Sequence, residues 1–340
     1  FSCFLFNPAL SSAEAYCSCA ARQSRLWTTI SASSSRQQHW QSSTTTDPLT
    51  AKSQRCVSNQ SVSTSLRAGA AKMTDASDKF WDKQLLRELF AEMLGTAMIV
   101  GLGTGAVMSA IYSGSLVGLF QIASVWIIAV TLAISTTGSI SGAHLNPAIS
   151  VCFAWFRPSS SFGWSKVLPY CIAQLVGSVM ASAANFILYA EKIREYESLN
   201  AIVRGTTQSI ASAKAFGQYF ETLPSNTLGI ATACCAEALG TAILAFSVFA
   251  LTNPNNDTVK NKVFVPPLIG ATVGALIAVI APITQAGFNP ARDFGPRIIA
   301  FFAGWKSVAF EGWWVYAVAP FVGAPIGAFV ADKMLYVDDK

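Results

Sequence analysis

His144-Leu145-Asn146-Pro147-Ala148 and Phe288-Asn289-Pro290-Ala291-Arg292 decide the fold of this 340-residue chain. Each copy follows a long apolar segment and puts Asn, then Pro, at the head of a new apolar run. A helix begins in this way: the Asn side chain accepts backbone N–H groups as N-cap, and Pro suits the first turn because it has no N–H to leave unpaired. A helix start in an apolar setting presents a partial positive charge and free donors where lipid supplies no partner. Two such starts in one membrane-embedded chain point to the lining of a channel.

The membrane setting follows from composition. The chain is 52% hydrophobic and 12% charged, with a mean hydropathy of +0.43, against roughly 25% charged residues in an ordinary soluble domain. Apolar stretches long enough to span a bilayer lie at about 85–110, 116–137, 166–190, 229–252, 264–284 and 313–334. Two further pieces, at about 147–156 and 290–302, open at the Asn-Pro motifs and are too short to cross, so they read as re-entrant half-helices. The expected fold is an all-α membrane protein with six transmembrane helices and two half-helices.

An internal repeat organises these segments. Ala91-Glu92-Met93-Leu94-Gly95-Thr96-Ala97 in the first span recurs as Ala236-Glu237-Ala238-Leu239-Gly240-Thr241-Ala242 in the fourth. The halves, about 85–190 and 229–334, each cross three times, so the second enters from the opposite face. Inversion brings the half-helices head to head near the midplane, with a pore between the halves. The spare amide N–H groups of Asn146 and Asn289 can then donate to a passing hydroxyl. Opposed helix dipoles place a positive potential at the same point, which disfavours cations and interrupts a proton-conducting water file.

The net charge of +5 belongs to a tail. Arg22, Arg25, Arg36, Lys52, Arg55, Arg67 and Lys72 face only Glu14 and Asp47 within residues 1–72, and the remainder balances. The basic balance therefore gives no reason to expect a nucleic-acid partner. Residues 1–78 read as a disordered, Ser/Thr-rich basic tail, either an organelle transit peptide or an upstream extension ahead of Met73. Residues 79–337 form the channel domain. The eight cysteines make no disulfide framework, because Cys3, Cys17, Cys19 and Cys56 lie in the tail and Cys152, Cys171, Cys234 and Cys235 in or beside apolar segments. With only His39 and His144 for histidines, no metal site and no cofactor is expected.

Charged groups at membrane depth are functional candidates. Arg292 adjoins a half-helix, and its rigid fork can donate to two neighbouring hydroxyls; the alternative is a structural ion pair with Asp293. Glu92 and Glu237, at matching positions, suit the job of accepting backbone N–H groups from the irregular loops before the half-helices. A proton relay is the alternative, and no basic partner sits at relay spacing.

With its paired Asn-Pro-Ala motifs (Asn146, Pro147, Ala148 and Asn289, Pro290, Ala291), Ser141-Gly142-Ala143-His144 ahead of the first, Arg292 after the second and the repeated Ala-Glu-x-Leu-Gly-Thr, the chain resembles the aquaporin, or major intrinsic protein, family over about residues 80–335. Asp293, Arg297 and Pro320 resemble the glycerol-facilitator branch. The resemblance implies a selectivity filter of Trp126, Ile277, Ala286 and Arg292, a loop-stabilising role for Glu92, Glu237 and His144, and a homotetramer with one pore per subunit. Bacterial glycerol facilitators carry an aromatic residue where Ala286 stands and Gly where Ile277 stands; the exchange of bulk is more similar to plant nodulin-26-like channels. Phe321 also departs from the smaller aliphatic usual after that Pro.

The implied function is passive passage of small neutral solutes, glycerol and urea together with water, with ions and protons excluded. A mainly water-selective aquaporin is the alternative within the family, and an ion-coupled secondary transporter the alternative outside it. An enzyme is not expected, since His144 has no nucleophile arranged beside it. The implied location is a multi-pass protein of the plasma membrane or an organelle membrane, a plastid included if the tail is a transit peptide.

Overall fold

A computed structural model describes residues 61–159, 161–220 and 227–337, with side chains from Lys83 onward except those of residues 227 and 228. Cys3, Cys17, Cys19, Cys56 and the tail up to residue 60 lie outside the described residues. From Thr64 onward the chain forms one unit.

The long helices and half-helices among the described residues are α1 (Ser61–Ser113), α2 (Leu119–Ser141), α3 (Pro147–Phe156), α4 (Trp164–Leu199), α5 (Thr227–Thr252), α6 (Val265–Thr284), α7 (Pro290–Ala300) and α8 (Trp313–Phe329). Among the described residues, six segments are long and apolar enough to cross a membrane: Lys83–Ser113, Leu119–Ser141, Trp164–Leu199, Gly229–Thr252, Lys262–Thr284 and Trp313–Leu335. At 1.5 Å per residue, α3 with 10 residues and α7 with 11 cover only half a bilayer core. The chain is thus an integral, multi-pass, all-helical membrane protein.

Three boundaries differ from the hydropathy reading. α1 begins at Ser61, so its first turns fall within the stretch assigned to the tail; Leu66-Arg67-Ala68 and Ala70-Ala71-Lys72-Met73 there are good helix formers. α4 runs beyond residue 190 to Leu199, where the apolar run has ended. Its extension carries i,i+3 pairs, Lys192 with Glu195 at 2.8 Å and Arg194 with Glu191, which suit a solvated helix surface. α7 stops at Ala300, and a π-helical turn follows that is broken at Gly304, whose φ is 108°.

Small residues let the spans approach closely. A methyl group on Gly177 of α4 would overlap the carbonyl of Met93 in α1, and one on Gly323 of α8 would overlap the carbonyl of Ala238 in α5. Met93 and Ala238 are the same position of the two repeats, so one contact is built twice. Gly327 meets Ala242 likewise, while Gly270 and Gly274 of α6 meet Ile127 and Thr131 of α2. Gly101 and Gly105 face Ala181 and Asn185 of α4.

Candidate pore and filter

The loop ahead of each half-helix is backbone held in an unfavourable conformation. Ala143 and Leu145 have φ of 50° and 51°, and their counterparts Ala286 and Phe288 have 58° and 55°. Left-handed non-glycine residues cost on the order of 1 kcal/mol each and persist only where the surroundings hold them. A buried carboxylate does so in each half. Glu92 accepts from Ser141 Oγ at 2.6 Å and His144 N at 2.9 Å on one oxygen, and from Leu145 N at 2.7 Å and Gln174 Nε2 at 2.8 Å on the other. Glu237 accepts from Thr284 Oγ1 at 2.5 Å, Gly287 N at 3.0 Å and Phe288 N at 2.8 Å. Tyr316 OH donates to Thr284 O at 2.8 Å, and its counterpart Tyr170 OH lies between two acceptors, Ser141 O at 3.2 Å and Glu88 Oε2 at 3.0 Å.

The donors to the two carboxylates differ at one place. Counting on from these tyrosines, Pro320 occupies the place of Gln174, so Glu237 has no counterpart of the Gln174 donor. Pro320 is buried within α8, whereas Phe321 is 41% exposed and does not line the lumen.

Asn146 and Asn289 cap the half-helices. Asn146 Oδ1 accepts from Ala148 N at 3.0 Å, and Asn289 Oδ1 from Ala291 N at 3.1 Å and Arg292 N at 3.3 Å, with Pro147 and Pro290 in the first turns. Each side-chain amide then reaches across: Asn146 Nδ2 donates to Phe288 O at 2.9 Å, Asn289 Nδ2 to Leu145 O at 2.7 Å. With one N–H so committed, each Asn keeps one more. Both line a cavity of about 120 Å³, along with Gly142, Ala143, His144 and Leu145 on one side and Ala286, Gly287 and Phe288 on the other. That volume holds several waters. Its remaining wall is mostly apolar, supplied by Ile99, Val130, Ile149, Leu244, Val248 and Ile269 among others, with Thr252 as a polar member. The His144 imidazole is 8% exposed, stacked on Phe153 at 4.5 Å, with Nδ1 3.3 Å from Ser150 Oγ.

Trp126, Ile277, Ala286 and Arg292 come together at one end of this cavity. Trp126, Ile277 and Arg292 also line a second cavity, bounded by Val107, Leu119 and Gln285, and so form the partition between the two. The Arg292 guanidinium lies 4.5 Å from the Trp126 ring centre. It is buried, its Nη1 has no partner, and the guanidinium makes no hydrogen bond among the described residues.

Asp293 pairs with Arg297 and not with Arg292. Arg297 Nε donates to Asp293 Oδ2 at 2.7 Å, in a pair that is 0% and 2% exposed. Arg297 further donates to Ala309 O at 2.8 Å, Glu311 O at 3.1 Å and Gln218 O. Gln218 N returns a bond to Asp293 Oδ1 at 2.8 Å. Tyr219 N donates to Gln285 Oε1 at 2.7 Å, and the Tyr219 ring lies 4.7 Å beneath the Arg297 guanidinium. Burial pushes the Tyr219 phenol up from its ordinary pKa, and Arg297 opposes this, so Tyr219 stays a neutral donor to Val308 and Ala309 carbonyls. Gln174, Gln218, Gln285, Tyr170, Tyr219 and Tyr316 escaped the sequence reading. Aligning Tyr170 and Gly177 with Tyr316 and Gly323 would have drawn attention to Tyr170, Tyr316 and position 174.

The Major intrinsic protein family pattern matches residues 79–331. The glycerol uptake facilitator protein of Haemophilus influenzae is 36% identical over 260 residues, covering 75% of this chain and 96% of that protein. The propanediol uptake facilitator PduF of Citrobacter freundii is 36% identical over 252 residues, covering 72% and 91%. Among solved structures, the X-ray structure of the aquaglyceroporin from Plasmodium falciparum superposes with a TM-score of 0.62 at 25% identity, over 74% of this chain and 96% of that one.

Proposed function

The chain belongs to the major intrinsic protein family, and on that premise we propose that it is a passive membrane channel, not an enzyme, for glycerol and other small neutral solutes together with water. The observation that carries the reading is the Arg292 guanidinium, buried, unpartnered and facing the lumen against Trp126. A polyol presents hydroxyls on one edge and carbon-bound hydrogens on the other. Arg292 supplies donors for the first, while Trp126 and Ile277 supply an apolar wall for the second. Ala286 leaves the filter wide on its remaining side. The relatives named as glycerol and propanediol facilitators support the same substrate class.

The Asn146 and Asn289 donors are the proposed point at which a passing hydroxyl turns its oxygen toward both half-helices. Donors fixed on both sides, with two helix N-termini converging, make cations and relayed protons unfavourable there. Asp293, Arg297 and Pro320 mark the polyol branch, and Glu92, Glu237 and His144 hold the re-entrant loops. Urea is a further expected solute because it is small, neutral and planar. The functional unit is proposed to be a homotetramer in a plasma or organelle membrane, both ends of the span set facing the same compartment.

Purified protein in liposomes, mixed by stopped flow with sucrose, glycerol or urea, tests this directly. Linear, non-saturating glycerol flux is expected. Water flux without glycerol flux would leave a water-selective aquaporin, and uptake that requires an ion gradient would restore the transporter reading.

A further inference from the structure

We propose that Arg297 is a positioning residue for selectivity: by engaging Asp293 it keeps that carboxylate from capturing Arg292, whose donors thereby stay free for solute. The inference rests on the reading of Arg292 as the filter cation. Three charges stand on one short half-helix, Arg292, Asp293 and Arg297, all buried. Their hydrogen bonding is unequal. Arg297 spends its donors on Asp293 and on the carbonyls of Gln218, Ala309 and Glu311. Both Asp293 oxygens are occupied, one by Arg297 Nε and one by Gln218 N. Arg292 makes no side-chain bond among the described residues.

This distribution is not the only one open to the half-helix. A buried carboxylate without a cation is strongly unfavourable and draws in whatever positive group is near. Arg292 is the adjacent residue, with a long stem and a head that rests on the Trp126 ring and makes no hydrogen bond among the described residues. Without Arg297, Asp293 would retain a single hydrogen bond from Gln218 N, and the cation nearest in sequence would be Arg292. The filter would then lose its donors to an internal ion pair. Arg297 also holds Gln218 by its carbonyl, so the same side chain fixes the segment that lies over Asp293. In this arrangement the pair at 293 and 297 touches no solute; it decides whether Arg292 does.

The test is the ratio of glycerol to water permeability, by stopped flow in proteoliposomes of matched protein content, for wild type, R292A, R297Q, R297K and D293N/R297Q. R297Q should lower the ratio by about tenfold, a coupling ordinary for neighbours in one charged network. R297K, which keeps a cation beside Asp293, should lower it less. D293N/R297Q removes the uncompensated carboxylate as well and should bring the ratio back toward wild type, which a merely structural role for Arg297 would not do. Water permeability, read in the same vesicles, reports that each variant is folded. A wild-type ratio in R297Q, or a double variant no better than R297Q, overturns the proposal while a changed ratio in R292A leaves the filter reading standing. An unchanged ratio in R292A overturns both.

Discussion

Asn289 donates its side-chain amide to the main-chain carbonyl of Leu145 at 2.7 Å, across the seam between the two halves of the chain. The mirror bond, Asn146 to Phe288, is 2.9 Å. Each Asn therefore does three things at once: its oxygen caps a half-helix, one N–H ties that half-helix to the opposite loop, and the other N–H is left at the lumen.

Asn289→Asp separates these roles. Asp caps a helix about as well as Asn, so α7 keeps its start. The donors are lost, and a carboxylate oxygen now opposes Leu145 O. Glycerol and water flux are expected to fall by about tenfold, a cost of about 1.4 kcal/mol, and cation leak to rise as the positive potential at the midpoint is reversed. Sodium and proton conductance of the same proteoliposomes would report the second effect; flux and conductance both at wild-type values would show that the amide donors do not act on the permeant.

Gly323→Ala tests the close approach of α8 and α5. The added methyl would overlap Ala238 O, a main-chain atom of a helix that cannot give locally. Overpacking of this kind costs about 1–3 kcal/mol and more where backbone must shift. The expected outcome is a thermal midpoint in detergent well below wild type. Gly138→Ala is the control, since its nearest neighbours there are 3.9 Å away and its midpoint should hold.

The helix starts were legible because Asn-Pro is a local signal that needs no partner to be read. The repeat was legible because inversion preserves sequence order. What a single polar residue in an apolar helix pairs with was not: Gln174 and Gln285 gain their roles from loops far along the chain. The partner of Asp293 lay within reach of sequence, however. Residues four apart share a helix face, so Asp293 and Arg297 were poised to meet. Trp126, Ile277 and Ala286 came only through family resemblance, since an aromatic or aliphatic residue in a span reads as packing until the lumen is located.

Glu237→Gln should be severely damaging although it removes only one charge. Both oxygens of Glu237 face donors, Gly287 N and Thr284 Oγ1 on one side and Phe288 N on the other. A side-chain NH₂ on either side meets a backbone N–H that has no second partner. Leaving that group unsatisfied costs about 1–3 kcal/mol, in a loop already strained at Ala286 and Phe288. Loss of the detergent-stable fraction on size-exclusion chromatography is expected. Glu92→Gln should be damaging for the same reason, since its two oxygens face the backbone N–H groups of His144 and Leu145, and a wild-type stable fraction in either variant would count against this account of the carboxylates.

Ala286→Phe examines the open side of the filter. Ala286 is 3% exposed, lines the inner cavity, and stands with Trp126, Ile277 and Arg292 at its end. Its backbone is left-handed, and Phe288 at 55° already shows an aromatic residue in that conformation two positions on. The ring therefore has a precedent for its backbone, and the space it can enter is the lumen. With Ile277 opposite, the opening should close to something near the width of a water molecule, so glycerol should slow by at least about tenfold while water slows by a factor of a few. Ile277→Gly added to Ala286→Phe should reopen the opposite wall and return much of the glycerol flux. Equal loss of glycerol and water in the single variant would mean that position 286 does not set the width of the constriction, and failure of the double variant to recover would mean that Ile277 does not oppose it.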